Sequence, residues 1–412
     1  MGGAERDAVA DRVTSATRAE DVVVDEAAML DFLARLVRER SVHDPDRGTS
    51  EASVAEVVAE EMRALGWAPV VEEAAPGRPN VIAVLDGGRP GPTLMFEGHT
   101  DVVTEGDADA WTHPPFGATV VDGRLYGRGA ADMKAGVAAM VYAAAAVARA
   151  GFGGRIVVAA LADEEGMMLG AKHFARTPLA RQVDAAIVCE PEAGEVCVSQ
   201  KGAIRLLVRA HGRMAHGAMP DHGRNPIAAL ALLTDRLSLV QRELQDEHAV
   251  HPQLGTCYVT PTVMAAGSTA QLNVIPAFAE LGVDIRTIPG VDHEALLQRV
   301  RSEAAAITAA TEVRFEVEVV DDRPATDMAL TEPVVQAVIA AHREVTGEEP
   351  VIGGVPGATD GTILWRDAGV PFVTYGPGGK WIAHQVDEFV ELADVVTAAR
   401  VYVAAARRFL AS

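Results

Sequence analysis

Histidine and acidic residues stand directly after several strand-like segments of the sequence. The apolar runs 93–97, 154–161 and 184–189 are followed by His99 and Asp101, by Glu164 and Glu165, and by Glu190, respectively. Because open α/β sheets place functional residues at the carboxyl ends of their strands, these side chains are expected to meet at one edge of a sheet. Several carboxylates gathered there repel one another strongly, and bound cations are the simplest way to hold them.

Two residues farther along the chain extend this set. Asp132 follows the glycine pair Gly127 and Gly129 at the start of an Ala-rich helical segment, and His384 lies in a late loop. Each has an ordinary alternative, since Asp132 suits a helix N-cap and His384 any loop. The glycine pair lacks the further motif residues of dinucleotide and P-loop sites, so phosphate binding is not favoured. Carboxylates and imidazoles without a thiolate suit Zn²⁺ in an open catalytic site, with Co²⁺ or Mn²⁺ as substitutes.

The order of these residues along the chain points to a known family. The series consists of His99-x-Asp101, Asp132, Glu164-Glu165, Glu190 and His384. It resembles the dinuclear zinc hydrolase family of acetylornithine deacetylase, succinyl-diaminopimelate desuccinylase, aminoacylase and glutamate carboxypeptidase. The resemblance implies that Asp132 bridges two zinc ions in each subunit. It also implies that His99 and Glu190 complete one zinc site, and that Glu165 and His384 complete the other.

The resemblance gives the adjacent glutamates different functions. Glu164 would be the general base, because a carboxylate that binds no metal can take a proton from water and pass it to the leaving nitrogen. If Glu164 and Glu165 both bound metal, no base would remain. Asp101 is expected to orient His99, since a ligating imidazole usually donates its second N–H to an outer carboxylate.

A histidine in the middle of the chain resembles a residue that acts across a dimer interface in this family. His216, within the segment 214–220, would reach the active site of the other subunit and stabilise the tetrahedral oxyanion. Family members often carry serine before this histidine, where this chain has Ala215. An exposed histidine without such a role is the alternative. The resemblance therefore implies a homodimer as the active form.

Further positions resemble substrate-binding residues of the family. Asn273 and Arg286 match positions that hold a substrate carboxylate or reach the oxyanion, and a guanidinium fork suits a carboxylate. The loop Gly357-Ala358-Thr359 matches a substrate-carboxylate loop, in which main-chain N–H groups and the threonine hydroxyl could bind oxygen anions. Without this context, Arg286 would be a surface residue and the loop a tight turn.

The elements that position these residues alternate between helix and strand, which predicts an α/β fold. Helical patterns cover 25–38, 50–66 and 132–150, and strand-like runs cover 79–85, 93–97, 154–161 and 184–189. From 202 to 320 the order becomes βαββαβ, after which α/β character returns. We therefore predict a catalytic domain with a mixed sheet flanked by helices, formed by residues 1–201 and 322–412. Residues 202–321 would form an inserted α+β, ferredoxin-like domain, which by resemblance is the lid and dimerisation domain.

Composition and charge exclude several classes of protein. The net charge of −22 disfavours nucleic acid and anionic membranes as partners. The apolar run from Val137 to Ala148 is too short to cross a bilayer and is expected to be a buried helix. The first residues lack the order of a signal peptide, and the three cysteines form no close pair, so a cytoplasmic protein is expected.

The predicted activity is hydrolysis of the amide bond of an N-acyl amino acid or a related small amide that carries a carboxylate. A dipeptidase or carboxypeptidase with the same two zinc ions is the alternative within enzymes. A dimeric, metal-stabilised binding protein without turnover is the alternative from another class.

Overall fold

The computed structural model describes residues 22–44 and 46–411. The expectation about a signal peptide concerns the first residues of the sequence, which lie outside the described residues. The described residues form nine α-helices: α1 (Glu26–Arg38), α2 (Ala52–Ala64), α3 (Ala135–Ala150), α4 (Leu169–Phe174), α5 (Pro226–Glu247), α6 (His293–Thr311), α7 (Pro333–Thr346), α8 (Asp360–Ala368) and α9 (Leu392–Leu410).

The strands of the same part group into a main sheet of nine strands, a second sheet of four, and two minor sheets of three and two strands. They are β1 (Val70–Ala75), β2 (Arg78–Asp86), β3 (Thr93–His99), β4 (Thr119–Val121), β5 (Arg124–Tyr126), β6 (Arg155–Leu161), β7 (Ala185–Val188), β8 (Val196–Gln200), β9 (Gly202–His211), β10 (Ala215–His216), β11 (Tyr258–Ala266), β12 (Val274–Ile275), β13 (Phe278–Thr287), β14 (Arg314–Arg323), β15 (Thr326–Asp327), β16 (Ile352–Val355), β17 (Phe372–Thr374) and β18 (Phe389–Glu391).

The main sheet is mixed and has the strand order β1-β2-β6-β3-β7-β17-β8-β15, with β16 also paired to β8. Strand β3 runs parallel to both β6 and β7, whereas β2 is antiparallel to β6. Strands β3 and β7 are buried along their whole length, as expected for strands covered on both faces. The predicted mixed sheet with flanking helices is confirmed.

Helix α3 is the buried Ala-rich helix that the sequence predicts. It packs against β3 and α9, and its residues from Ala135 to Val147 are all buried. Among the described residues, the segment Ala130–Ala150 is long and apolar enough to cross a membrane, but 94% of its most apolar window is buried inside the protein. Its apolar character is therefore explained by the core that it fills.

The second sheet, which we call the small sheet, has the strand order β11-β13-β9-β14 and is antiparallel throughout. Helices α5 and α6 pack against it, and apolar side chains from both layers form a core of their own. The predicted βαββαβ order is confirmed. The third strand of this order is divided into β12 and β13 at Pro276, which has no N–H to donate.

The division of the chain at 201/202 and 321/322 stays our proposal. Strand β9 begins at Gly202, next to the first of these limits, and β14 continues past the second to Arg323. Most of the buried apolar residues outside the core of the small sheet form one separate large cluster around the main sheet.

Candidate metal centre

Three strands of the main sheet end at the same edge and deliver the predicted residues there. His99 is the last residue of β3 and is paired in register with Leu161, the last residue of β6. The turn with Glu164 and Glu165 follows β6, and Glu190 follows β7 shortly after its last residue. The parallel pairing of β3 with both neighbours therefore brings histidine and carboxylates together, as the strand-end pattern predicts.

One group of potential metal ligands forms around His99. Its Nε2 atom lies 3.1 Å from Oδ1 of Asp132 and 3.6 Å from Oε1 of Glu190. The imidazole is 1% exposed and Glu190 is 6% exposed. These ligand atoms lie within 4.8 Å of one another, which is close enough to bind a single ion.

A second group forms around His384. Its Nε2 atom lies 3.3 Å from Oδ2 of Asp132 and 2.7 Å from Oε1 of Glu165. The two carboxylate oxygens of Asp132 thus face two different histidines, which is the arrangement of a carboxylate shared between two ions. The structure brings together all five residues that the sequence proposes as metal ligands.

Asp132 lies in a turn that precedes the helix instead of capping it. Its φ and ψ angles of −113° and 99° are not helical, and α3 begins three residues later at Ala135. The carboxylate of Glu388 accepts the N–H groups of Gly129, Ala131 and Asp132 at 3.0–3.1 Å and forms an ion pair with Arg128. The N-cap interpretation is therefore wrong. Glu388 was not foreseen, although it lies four residues after His384.

Asp101 orients its neighbours differently from the sequence-based expectation. Its carboxylate accepts the N–H groups of Glu164 at 3.1 Å and of Glu165 at 3.0 Å. The Nδ1 atom of His99 lies 3.0 Å from the main-chain oxygen of Asp101 but 3.5 Å from its carboxylate. The carbonyl is thus the nearer partner of the imidazole, and the carboxylate mainly holds the Glu164-Glu165 turn.

The buried carboxylates of the site repel one another strongly unless cations are bound. Burial raises the pKa of Glu164 and that of Glu190 well above the ordinary glutamate value. Burial works to lower the pKa of His99, but Glu190, Asp101 and Asp132 together raise it well above its ordinary value. Hydrogen bonds to Asp132 and Glu165 raise the pKa of His384 to about 10. Divalent cations would relieve this excess of buried negative charge.

A cleft of about 320 Å³ opens beside the two ligand groups. The predicted substrate-binding residues Arg286, Gly357, Ala358 and Thr359 line it. Thr359 donates its N–H to the side chain of Gln200, which lies outside the set foreseen from the sequence. The cleft is also lined by three basic residues that the sequence reasoning missed, namely Arg205, Arg323 and Lys380.

Comparison with known proteins assigns the chain to a family. The profile of Peptidase family M20/M25/M40 matches residues 95–408. The chain belongs to this family. Its hydrolytic character, expected from the resemblance, is thereby confirmed.

Individual members of the M20 family give the scale of the similarity. The chain is 34% identical over 396 residues to a succinyl-diaminopimelate desuccinylase of Paracoccus denitrificans, covering 92% of this chain and 97% of that protein. Its fold is similar to that of an M20 metallo-carboxypeptidase from Sulfolobus solfataricus, with a TM-score of 0.77, 18% identity and coverage of 93% and 99%. A dinuclear metal binding peptidase of the family from Bacillus subtilis gives a TM-score of 0.70, 17% identity and coverage of 94% and 98%.

Two predicted residues of this M20 chain lie away from the cleft. His216 and Asn273 are exposed, and strand β10 places His216 opposite Val274 on β12. The carbonyl of Asn273 accepts the N–H of Gly217 at 2.7 Å. The structure thus brings these two segments next to each other but not next to the five ligands. The role of His216 across a dimer interface stays a prediction.

Behind the M20 site, a buried ion-pair network supports the Glu164-Glu165 turn. Arg78 is 7% exposed and forms ion pairs with the buried carboxylates of Glu51 and Asp163. The carboxylate of Asp163 also accepts the N–H groups of Met167 and Leu169. The sequence gives no local signal for this network, because Glu51 and Arg78 lie far from the motif along the chain.

Glu97 and Asp360 form a buried acidic pair next to the ligand groups. The oxygens of Asp360 and one oxygen of Glu97 have no hydrogen-bond donor within the described part of the protein. Burial raises the pKa of Asp360 to about 7, and burial also raises the pKa of Glu97, with Asp360 as the largest neighbouring charge. These raised pKa values favour the protonated, neutral form of both carboxyl groups, because burial and the surrounding carboxylates oppose further negative charge.

Proposed function

We propose that the protein hydrolyses the amide bond of an N-acyl amino acid, or of a related small amide that carries a carboxylate, with two zinc ions in each subunit. One observation carries this proposal. Two groups of ligand atoms share Asp132, and the buried carboxylate of Glu164 belongs to neither group although it lines the same cleft. A site of this composition can hold cations and keep a base beside them.

The donor set supports zinc as the metal. His99, Asp132 and Glu190 would hold one ion, and Glu165 and His384 would hold the other together with Asp132. Each ion would have three protein ligands and an open position, which is typical of catalytic zinc sites. Imidazole and carboxylate donors also accept Co²⁺ or Mn²⁺, which we propose as substitutes.

Within such a site, the two adjacent glutamates have different roles, Glu165 as a metal ligand and Glu164 as the base. Two bound ions would supply a lowered pKa of the attacking water and polarisation of the scissile carbonyl. Glu164 accepts a proton from this water and delivers it to the leaving nitrogen, so that the amine departs neutral. Asp101 supports this step by holding the N–H groups of Glu164 and Glu165, which fixes the turn.

Positively charged and main-chain groups in the cleft suit a substrate carboxylate. Arg286 lines the cleft, although two of its nitrogens already donate to Asp284, at 2.7 and 3.2 Å. The half-buried Gly357 and Ala358 lie on the same wall. We therefore propose this wall as the place where the carboxylate of the substrate binds, with Asn273 contributing from another subunit or after rearrangement.

The active form is proposed to be a homodimer that forms through the small sheet. Strand β11 is an edge strand of that sheet, and its Val263 and Met264 are exposed by 56% and 53%. An unpaired edge with exposed apolar side chains is suited to pairing with a second copy. The exposed position of His216 is compatible with a contact to the active site of that copy.

We also propose a cytoplasmic location, which agrees with the three free cysteines of the described part.

A substrate screen tests the proposed function. Zinc-loaded protein is incubated with N-acetyl-, N-succinyl- and aminoacyl-amino acids, and the released amine is measured. We expect hydrolysis of acylated amino acids, and its loss in the Glu164→Gln variant. Cleavage restricted to aminoacyl substrates would favour a dipeptidase or carboxypeptidase. Bound zinc without hydrolysis of any compound would favour a binding protein.

A further inference from the structure

The turn that carries Glu164 and Glu165 is held from two opposite parts of the protein. On the side of the main sheet, Asp101 accepts the N–H groups of both glutamates. On the other side, the carbonyl oxygen of Gly166 accepts hydrogen bonds from Nη2 of Arg323 at 2.6 Å and from Nη1 of Arg205 at 3.2 Å. Hydrogen bonds from guanidinium groups are stronger than those between neutral groups. Two of them converge on one main-chain oxygen here.

Both arginines belong to the small sheet. Arg205 lies on β9, opposite Asp321 on the neighbouring strand, and Arg323 is the last residue of β14. Asp321 accepts a hydrogen bond from Nε of Arg323 at 2.6 Å and another from Lys172 of α4 at 3.1 Å. Arg323 and Asp321 are each only 4% exposed. Their paired, buried charges fix the guanidinium group that faces Gly166.

The turn has little room to adopt another position. A Cβ atom added to Gly166 would lie 2.1 Å from Oδ1 of Asp163, so the main chain is packed closely against that carboxylate. Asp163 in turn accepts the N–H groups of Met167 and Leu169. Contacts from the main sheet and from the small sheet therefore meet at one short segment of chain.

We propose that Arg323 and Arg205 are positioning residues, which hold the Glu164-Glu165 turn in place from the small sheet through the carbonyl of Gly166. The inference rests on the proposed function, since it takes Glu164 as the base and Glu165 as a metal ligand. Displacing a catalytic group by about 1 Å can reduce a rate roughly 10²-fold. The two arginines therefore act on the chemical step without needing to touch the substrate.

The test compares Arg323→Met with Arg323→Lys and with Arg209→Met. Methionine keeps most of the apolar stem of the side chain and removes its donors, whereas lysine keeps a charged donor. Arg209 is the matched control, because it lies on β9 four residues after Arg205 but pairs with Glu280 and Glu318 instead of the turn. Three quantities are measured in each protein: hydrogen exchange of the peptide covering 163–168, zinc content, and kcat and KM.

For Arg323→Met we expect exchange of that peptide to be about tenfold faster or more, as for the loss of a charged hydrogen bond. We expect kcat to fall by roughly 10- to 100-fold, with a nearly unchanged KM. Arg323→Lys should recover part of kcat, and Arg209→Met should match the unaltered protein. A variant with unchanged kcat, or with a raised KM alone, would overturn the proposal. If Arg323→Met does not fold, Arg205→Met replaces it, since the Arg205 side chain is 35% exposed.

The exchange measurement separates this inference from the proposed function. Exchange needs no substrate, so faster exchange in Arg323→Met would support the holding contact even if the unaltered protein hydrolysed no amide. That combination would refute the proposed function alone. Unchanged exchange would overturn the positioning role whatever the activity.

Discussion

Replacing Arg78 with methionine is expected to destabilise the folded protein by about 3–5 kcal/mol, the range found when one partner of a buried ion pair is removed. The Arg78 side chain is 9% exposed, and the side chains of its partners Glu51 and Asp163 are 0% and 2% exposed. Nε of Arg78 donates to both oxygens of Glu51, at 2.9 and 3.0 Å. Methionine keeps most of the apolar stem but leaves two buried carboxylates without their cation.

The size of the stability loss depends on which hydrogen-bond donors each carboxylate keeps without Arg78. Asp163 keeps the N–H groups of Met167 and Leu169, so most of the loss is expected to arise at Glu51. The double change Arg78→Met with Glu51→Met removes that unpaired charge. It should therefore recover a large part of the lost stability, because apolar replacements of a buried pair are often neutral.

Urea unfolding followed by circular dichroism measures these differences as shifts of the midpoint at an unchanged slope. The matched control is Arg63→Met. Arg63 forms an ion pair with Glu56 on the surface of α2, with exposed fractions of 49% and 57%, and such pairs contribute about 1 kcal/mol or less. Equal losses for Arg78→Met and Arg63→Met would refute the reasoning, as would a double variant less stable than Arg78→Met.

Three further predictions concern the metal centre. Glu164→Gln should lower kcat by about 10²–10⁴-fold with unchanged zinc content, as measured by kinetics and by mass spectrometry of bound metal. Loss of zinc in this variant would contradict the role of Glu164 as a base outside both ligand groups. Asp132→Asn should reduce zinc at both sites, whereas Glu190→Gln should reduce it at one. Equal zinc content in the two variants would contradict the proposal that both ions share the Asp132 carboxylate. His216→Ala should lower kcat by about 10²–10³-fold. Mixing equal amounts of His216→Ala and Glu164→Gln protein should restore up to about a quarter of normal activity, because about half of the dimers are mixed and one of the two sites in each mixed dimer is complete. No recovery in confirmed mixed dimers would contradict a contact between subunits.

The five candidate ligands could be found from the sequence, some through a local pattern and others only through the order of residues along the chain. His99 and Glu190 come after short apolar runs that are typical of buried strands, and parallel strands bring such ends to one edge. Asp132 and His384 have no such signal alone, and they were found through the order of residues that resembles a known family. The local structure at Asp132 was not predictable, since its non-helical turn depends on Glu388 from the far end of the chain.

The residues that the sequence did not reveal are those whose partners are distant along the chain. Arg78 is an unremarkable residue at the start of a strand, and its function depends on Glu51 and Asp163 meeting it in the core. Arg205 fits the alternation of β9 like any half-exposed strand residue. The alternation of residues along a strand indicates which face of the sheet such a residue occupies. It does not identify the main-chain oxygen that accepts a hydrogen bond from the side chain.

The different roles proposed for Glu164 and Glu165 follow from the way their turn is fixed. Glu165 lies 2.7 Å from His384, whereas Glu164 is buried against the edge of the main sheet and is 7% exposed. Two neighbouring carboxylates can keep such different surroundings only if the main chain between them does not rotate. Asp101 restrains this main chain at the N–H groups of both residues, and the arginines of the small sheet restrain it at the carbonyl of Gly166. The separation of base from ligand therefore depends on both sheets, and a change in either should affect catalysis before it affects the binding of metal.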